Sequence, residues 1–343
     1  MSKLLGLIVS FFILTALIAG CSGASGNNQP TESDLAPSAS SPSPSGSAQT
    51  ADTSADEEST AAAAAAWPRT ITDGAGHDVV LEEQPKRVAV LHPLYLDYFF
   101  ALDTPPIASG SAASALAEYA TLKPYADTAE VIDLGSGREL NLEKIIETNP
   151  DVIVTFKGHI DALYDELSKI APVVQINYAD TWEEATMLSA QIVGKEELAE
   201  QYIKETKENI EKSRQQLGAL KDKTFALLRV GDDGTFHAQG TNNTTYYNET
   251  TGFGLLVPKG YPADNDVLSV EALSDMNPDY IIFQHDIAVA KAAVKQNESL
   301  AVWQSLEAVK NNHVLYFDNS LNTGSVLAVR LAANHFMELA ADQ

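Results

Sequence analysis

The sequence predicts an α/β protein of two lobes, each built on its own sheet and joined to the other by a single long helix. Three features of the 343 residues point there. Short apolar runs alternate with helical patterns, an order that builds parallel sheets. One long amphipathic stretch, residues 196–217, interrupts that alternation. The segment 142–154 then returns as 270–282 in the same register, so the two halves share an architecture.

At the N-terminus, Lys3 precedes residues 4–20, which carry no charged side chain, and Ile18-Ala19-Gly20-Cys21 closes the run. A short basic start, an apolar core and small residues at the end are the layout of a secretory signal. The uncharged run is almost long enough to span a bilayer, but the four closing residues resemble a lipobox. That resemblance implies removal of residues 1–20 and lipid attachment at Cys21, the only cysteine of the chain. A lone cysteine excludes an intramolecular disulfide framework. Residues 21–66 are the lipidated cysteine and a tether, mostly Ser, Thr, Ala, Pro and Gly with no aromatic side chain. Such a stretch buries too little apolar surface to offset the entropy of ordering it, and reads as a flexible spacer.

From Trp67 the composition becomes globular, with an N-terminal lobe over 67–180, a linking helical segment over 181–220 and a C-terminal lobe over 221–343. The formal net charge of −25 argues against a nucleic-acid partner. It also requires that an anionic ligand be met by locally placed basic groups. A monomer is expected.

Thr70-Ile71-Thr72 and Val79-Val80-Leu81 read as a hairpin around Asp73-Gly74-Ala75-Gly76. The run from Arg87 to Leu91 suits a strand covered on both faces. His92-Pro93 ends it, and 94–102 has a helical pattern. Further strands are predicted at 107–110, 131–134, 152–155 and 173–176, with helices at 142–148 and 160–170. Residues 181–217 hold two helical stretches separated by Gly194-Lys195. In the second, Leu198, Ala199, Tyr202, Ile203, Ile210 and Leu217 share a face. Strands resume at 225–230, 281–283 and 314–317. In the repeated segment Glu143 answers to Glu271, and Asn149-Pro150-Asp151 to Asn277-Pro278-Asp279. Each proline stops a helix just before a buried strand.

These landmarks, with Asp73-Gly74, Pro85-Lys86-Arg87-Val88, Ser269-Val270-Glu271-Ala272-Leu273 and the passage 306–314, carry a family resemblance. From Thr70 to about Leu339 the chain resembles the solute-binding lipoproteins of iron–siderophore, haem and vitamin B12 ABC importers. Asn312 departs from the glycine usual in its turn, but asparagine tolerates a left-handed backbone. The resemblance implies two Rossmann-like lobes bridged by a rigid helix, with the ligand in the cleft between them. It implies a binding protein rather than an enzyme, a ferric siderophore as ligand and no cofactor of the protein's own. It implies an ABC permease as partner, met by Glu143 and Glu271. The location implied is the extracytoplasmic face of the cell membrane, lipid-anchored, in a bacterium of Gram-positive type.

In parallel α/β lobes ligands sit beyond the carboxyl ends of the strands. His92 and Tyr95 follow the first such strand, Lys157 and His159 follow 152–155, and Gln284 and His285 follow the equivalent strand of the second half. Arg229 lies in an otherwise apolar strand, with His237 and Tyr246 in the segments after it. A buried arginine needs an acceptor, which a carboxylate, catecholate or hydroxamate oxygen supplies. Tyr95 or Tyr246 is expected to wall the apolar part of the chelator. Each histidine and tyrosine also has a purely structural reading, since polar residues are ordinary where a strand leaves the core. Haem held by a histidine and a divalent cation held by histidines with Asp286 stay open as other ligands. So does a secreted hydrolase, although no Gly-x-Ser-x-Gly, His-Glu-x-x-His or paired-carboxylate motif supports it.

Overall fold

A computed structural model describes residues 67–136, 139–242 and 245–342. The signal segment, Cys21 and the tether lie outside the described residues. The predicted hairpin is present as β1 (Arg69–Thr72) and β2 (Asp78–Leu81), paired antiparallel. Its turn is closed by Asp73, whose Oδ1 accepts from the backbone N–H groups of Ala75 and His77.

The first sheet contains β3 (Val88–Val90), β4 (Ala108–Ser109), β5 (Ile132–Asp133), β6 (Val152–Phe156) and β7 (Val173–Ile176), in the order β5-β4-β3-β6-β7 with every pair parallel. All residues of β3 and β7 are buried, which is why those runs are apolar but for Gln175. The crossovers are α1 (Leu96–Ala101), α2 (Ala112–Glu118), α3 (Leu142–Glu147) and α4 (Tyr164–Leu167). The helix expected at 94–102 opens with a 3-10 turn, Pro93–Tyr95, because a proline suits the first position of such a turn. The one expected at 160–170 likewise divides into a 3-10 turn, Asp161–Leu163, and the short α4. Helix α2 buries only Ala112 and Ala115, and two alanines leave no periodic apolar signal.

Between the sheets the chain runs through α5 (Trp182–Val193) and α6 (Glu196–Gln216). The passage is the expected pair of helical stretches divided at Gly194-Lys195, so the link consists of two helices, the longer being α6. A capping box of Thr181 and Glu184 opens α5, and Gly194, at φ 67°, ends it.

The second sheet contains β8 (Phe225–Val230), β9 (Phe236–Ala238), β10 (Asp266–Leu268), β11 (Tyr280–Gln284) and β12 (Val314–Phe317), in the order β10-β9-β8-β11-β12. Strands β8, β11 and β12 run parallel, while β9 is antiparallel to both β8 and β10. Its helices are α7 (Val270–Met276), α8 (Ile287–Asn297), α9 (Ala301–Gln304), α10 (Glu307–Lys310) and α11 (Val326–Ala341). The core beneath β8 holds Phe225, stacked on Tyr280 at 4.8 Å and edge-on to Phe336 at 6.2 Å. Burying each such ring is worth about 2–3 kcal/mol.

The sequence repeat is a structural repeat. Asn149 and Asn277 both adopt left-handed backbone, at φ 43° and 41°. Asp151 Oδ2 accepts from the N–H groups of Lys86 and Arg87 at the entrance to β3. Asp279 Oδ2 accepts from the N–H of Thr224 at the entrance to β8. In both halves Asn-Pro-Asp therefore ends a helix and ties the next strand to the start of the central one. Asn312 is left-handed too, at φ 61°.

The halves are pinned together by polar and packed contacts. Asp97 on α1 is fully buried; its Oδ2 accepts from Ser325 Oγ at 2.5 Å, at the start of α11, and its Oδ1 from Thr121 Oγ1 at 3.1 Å. Arg330 of α11 lies over the Tyr202 ring of α6 at 4.8 Å and pairs with Glu205 at 3.3 Å.

Candidate ligand-binding site

On the second sheet three adjacent strands present polar side chains at one edge. Arg229 of β8 is paired in register with His237 of β9. On the other side β8 pairs with β11 up to Leu228↔Phe283, so Gln284 and His285 come next. Arg229 Nε and His285 Nδ1 are both buried without a hydrogen-bond partner. Leaving such atoms unsatisfied costs about 1–3 kcal/mol each. Burial, and then the neighbouring Arg229, hold the His285 imidazole below its usual pKa, so the ring is neutral at pH 7. Burial also lowers the Arg229 pKa, opposed by the hydroxyls of Tyr178 and Tyr119, and the guanidinium stays charged.

Tyr178 and Tyr119 belong to the first half and both act on the Arg229 charge. Next to Tyr119 the Ala120 N–H donates to Asp318 Oδ1 at 3.0 Å, just past β12, so the halves meet at the carboxyl ends of their strands. Burial pushes the Tyr119 hydroxyl up to about 12, while Arg229 pulls it down. Tyr178 follows β7 and is 68% exposed. Its ring lies 5.9 Å from that of Phe156, the last residue of β6. Phe156 stacks on His159 at 4.8 Å and 7°, and His92 meets both edge-on at 5.3 and 5.2 Å. His159 Nδ1 is 2.7 Å from Thr155 Oγ1, and His92 Nδ1 accepts from the N–H of Leu94. His237 Nε2 is 3.1 Å from Thr235 Oγ1.

Three expected positions are corrected. Tyr246 is not a cleft wall: it is 6% exposed, with Phe253 at 5.4 Å and Phe336 at 6.0 Å, and its hydroxyl is directed at Gln284. Gln284 is fully buried, its Oε1 accepting from Gln239 Nε2 at 2.7 Å. Tyr95 lies under the aromatic platform, stacked on Tyr98 at 6.0 Å and 5.9 Å from Phe156. Lys157 is exposed at the end of β6. The sequence reading missed Phe156, Tyr178 and Tyr119. The first two carried a usable signal, an aromatic residue at or just past the end of a buried run; Tyr119 carried none.

The hairpin turn packs against the end of β7, just before Tyr178. Gly74 N–H donates to Gln175 O at 2.6 Å, and Asp73 Oδ2 accepts from Gln175 N–H at 3.1 Å. A Cβ on Gly74 would lie 2.3 Å from the backbone nitrogen of Asn177, so only glycine permits this approach.

Glu143 and Glu271 are exposed in the first turns of α3 and α7, capped by Asn141 and Ser269. Both helices follow strands whose carboxyl ends lie on the site's edge of the sheets. Asp286, the acid considered for a divalent cation, is occupied as the N-cap of α8. Among the described residues no three His, Cys, Asp or Glu side chains gather as a metal site.

Two sheets, one all parallel and one mixed, joined by a helical passage and bearing a half-buried arginine at a strand end, suit a solute-binding protein, and residues 88–321 match the family described as periplasmic binding protein. The chain belongs to that family. Among its relatives, the iron-uptake system-binding protein of Bacillus subtilis is 29% identical over 230 residues, covering 64% of this chain and 70% of that protein. The petrobactin-binding protein YclQ of the same organism is 28% identical over 252 residues, covering 69% and 76%. The solved structure of the triscatecholate siderophore binding protein FeuA from Bacillus subtilis, complexed with ferri-bacillibactin, superposes with a TM-score of 0.68 at 22% identity, over 80% of this chain and 99% of that one. Staphylococcus aureus SirA complexed with staphyloferrin B gives 0.66 at 23%, over 79% and 97%. These superpositions establish the two-lobe α/β fold.

Proposed function

We propose that this protein captures a ferric siderophore between its lobes and passes it to an ABC permease, without chemical turnover. The observation that carries the reading is Arg229: a charged side chain, largely buried at facing strand ends, whose Nε lacks a protein acceptor. An oxygen-rich anionic chelate supplies that acceptor, and a charge-assisted hydrogen bond to it is stronger than a neutral one. The names of the relatives, as iron-uptake and siderophore-binding proteins, support the same ligand class. Cys21 carries the lipid that holds the protein on the outer face of the membrane, and Glu143 and Glu271 meet basic residues of the permease. The test is uptake of radiolabelled iron from a ferric siderophore by cells in which this chain is the sole binding protein. Uptake that requires the chain is expected; equal uptake without it contradicts the proposal.

A further inference from the structure

We propose that the chelate taken by this site carries aryl groups, as ferric catecholates do, and that Tyr178 and Phe156 form the wall on which an aryl ring stacks. The inference rests on the ferric-siderophore reading and narrows it. The first-half edge of the site is aromatic: Tyr178, Phe156, His159 and His92 form one continuous set of ring contacts, with centroids 4.8 to 5.9 Å apart. Within it Phe156 and His159 are parallel, while Tyr178 stands off at 50° and 68% exposed. An exposed tyrosine of this kind presents a π face that no side chain covers. The backbone just before it, at Asn177, is packed closely against Gly74 of the hairpin turn.

Arg229, from the second sheet, lies near enough to Tyr178 for the two to interact electrostatically. A planar guanidinium both stacks on aromatic faces and donates to phenolate oxygens. An aryl ring stacked on Tyr178 keeps its metal-binding oxygens at its edge, where the Arg229 guanidinium can donate to them. An aliphatic hydroxamate arm or a citrate has no ring to use the aromatic wall. Offset or edge-on ring pairs contribute beyond the area they bury, which is the physical basis for discrimination.

The experiment compares the purified protein with three probes: the ferric complex of a tris(2,3-dihydroxybenzoyl) chelator, a ferric linear trihydroxamate and ferric citrate. Binding is followed by calorimetry and by the charge-transfer band of the iron complex. The catecholate is expected to bind at least about tenfold more tightly than the other two. Tyr178→Ala is expected to lose roughly five- to tenfold for the catecholate, with Tyr178→Phe near the parent protein. Tighter hydroxamate or citrate binding, or a Tyr178→Ala loss shared equally by all probes, overturns the aryl assignment and leaves the siderophore reading standing. Failure of all three probes to bind overturns both.

Discussion

Arg229 stands directly opposite His237 across the antiparallel β8–β9 pair, and its Nε is buried without a hydrogen-bond partner. The pairing aims both side chains from the same face of the sheet, so loss of the arginine removes the cation but leaves the strand ladder intact. Arg229→Ala is expected to weaken ferric-siderophore binding by about 1.5–3 kcal/mol. Melting temperature should change little, because no protein acceptor is left behind. Calorimetric titration measures the first and thermal denaturation the second; unchanged affinity would assign Arg229 a structural role.

How much of this was legible in the sequence follows from burial. Strands β7, β8 and β12 were readable to the residue, because a fully or largely covered strand is a short apolar run bounded by polar residues. Arg229 was readable as the one charge inside such a run. Strands β9 and β10 have three residues each, too few for a period to emerge. Tyr246 sits in a polar segment and so read as exposed, yet its ring joins Phe253 and Phe336 in the core. Tyr119 comes near the second half only through tertiary packing, its neighbour Ala120 donating to Asp318, a relationship no local pattern encodes.

The contact of Gly74 with Asn177 gives a stability prediction. A Cβ at 2.3 Å from a backbone nitrogen cannot be relieved by rotating a side chain. Gly74→Ala is expected to cost about 1–3 kcal/mol, as other overpacked sites do, and to displace Tyr178. Urea denaturation gives the energy. A variant as stable as the parent would mean that the hairpin does not hold β7 this closely.

Asp97 predicts a pH dependence. Burial pushes its carboxyl up to about 6, with Asp318 adding to the rise and hydrogen bonds from Ser325, Thr121 and Thr323 opposing it. A carboxyl raised above its ordinary 3.8 is protonated earlier in the folded state than in the unfolded one. The stability it contributes is greatest below the unfolded value and is lost as pH rises through about 6. On going from pH 7.5 to pH 5 the melting temperature of the parent protein should therefore gain on that of Asp97→Asn. Parallel profiles for the two proteins would show that Asp97 does not titrate in that window.

Glu143 and Glu271 are exposed at equivalent helix starts, one in each half. As helix-start carboxylates they contribute only a few tenths to about 1 kcal/mol each. Replacing both, Glu143→Arg with Glu271→Arg, is expected to leave ligand affinity nearly unchanged and lower stability slightly. Charge complementarity chiefly sets orientation and encounter rate, so cellular uptake should be abolished. Normal uptake by the double variant would reduce these residues to helix starters.

The central claim is that the facing strand ends around Arg229 hold a ferric siderophore. The most direct test is a spectral titration of the purified protein with a panel of ferric siderophores and, in parallel, with haem. Saturable one-to-one binding of at least one ferric siderophore, at submicromolar concentration, is the predicted result. Binding of haem with a histidine-ligated spectrum, and no response to any ferric siderophore, would contradict it.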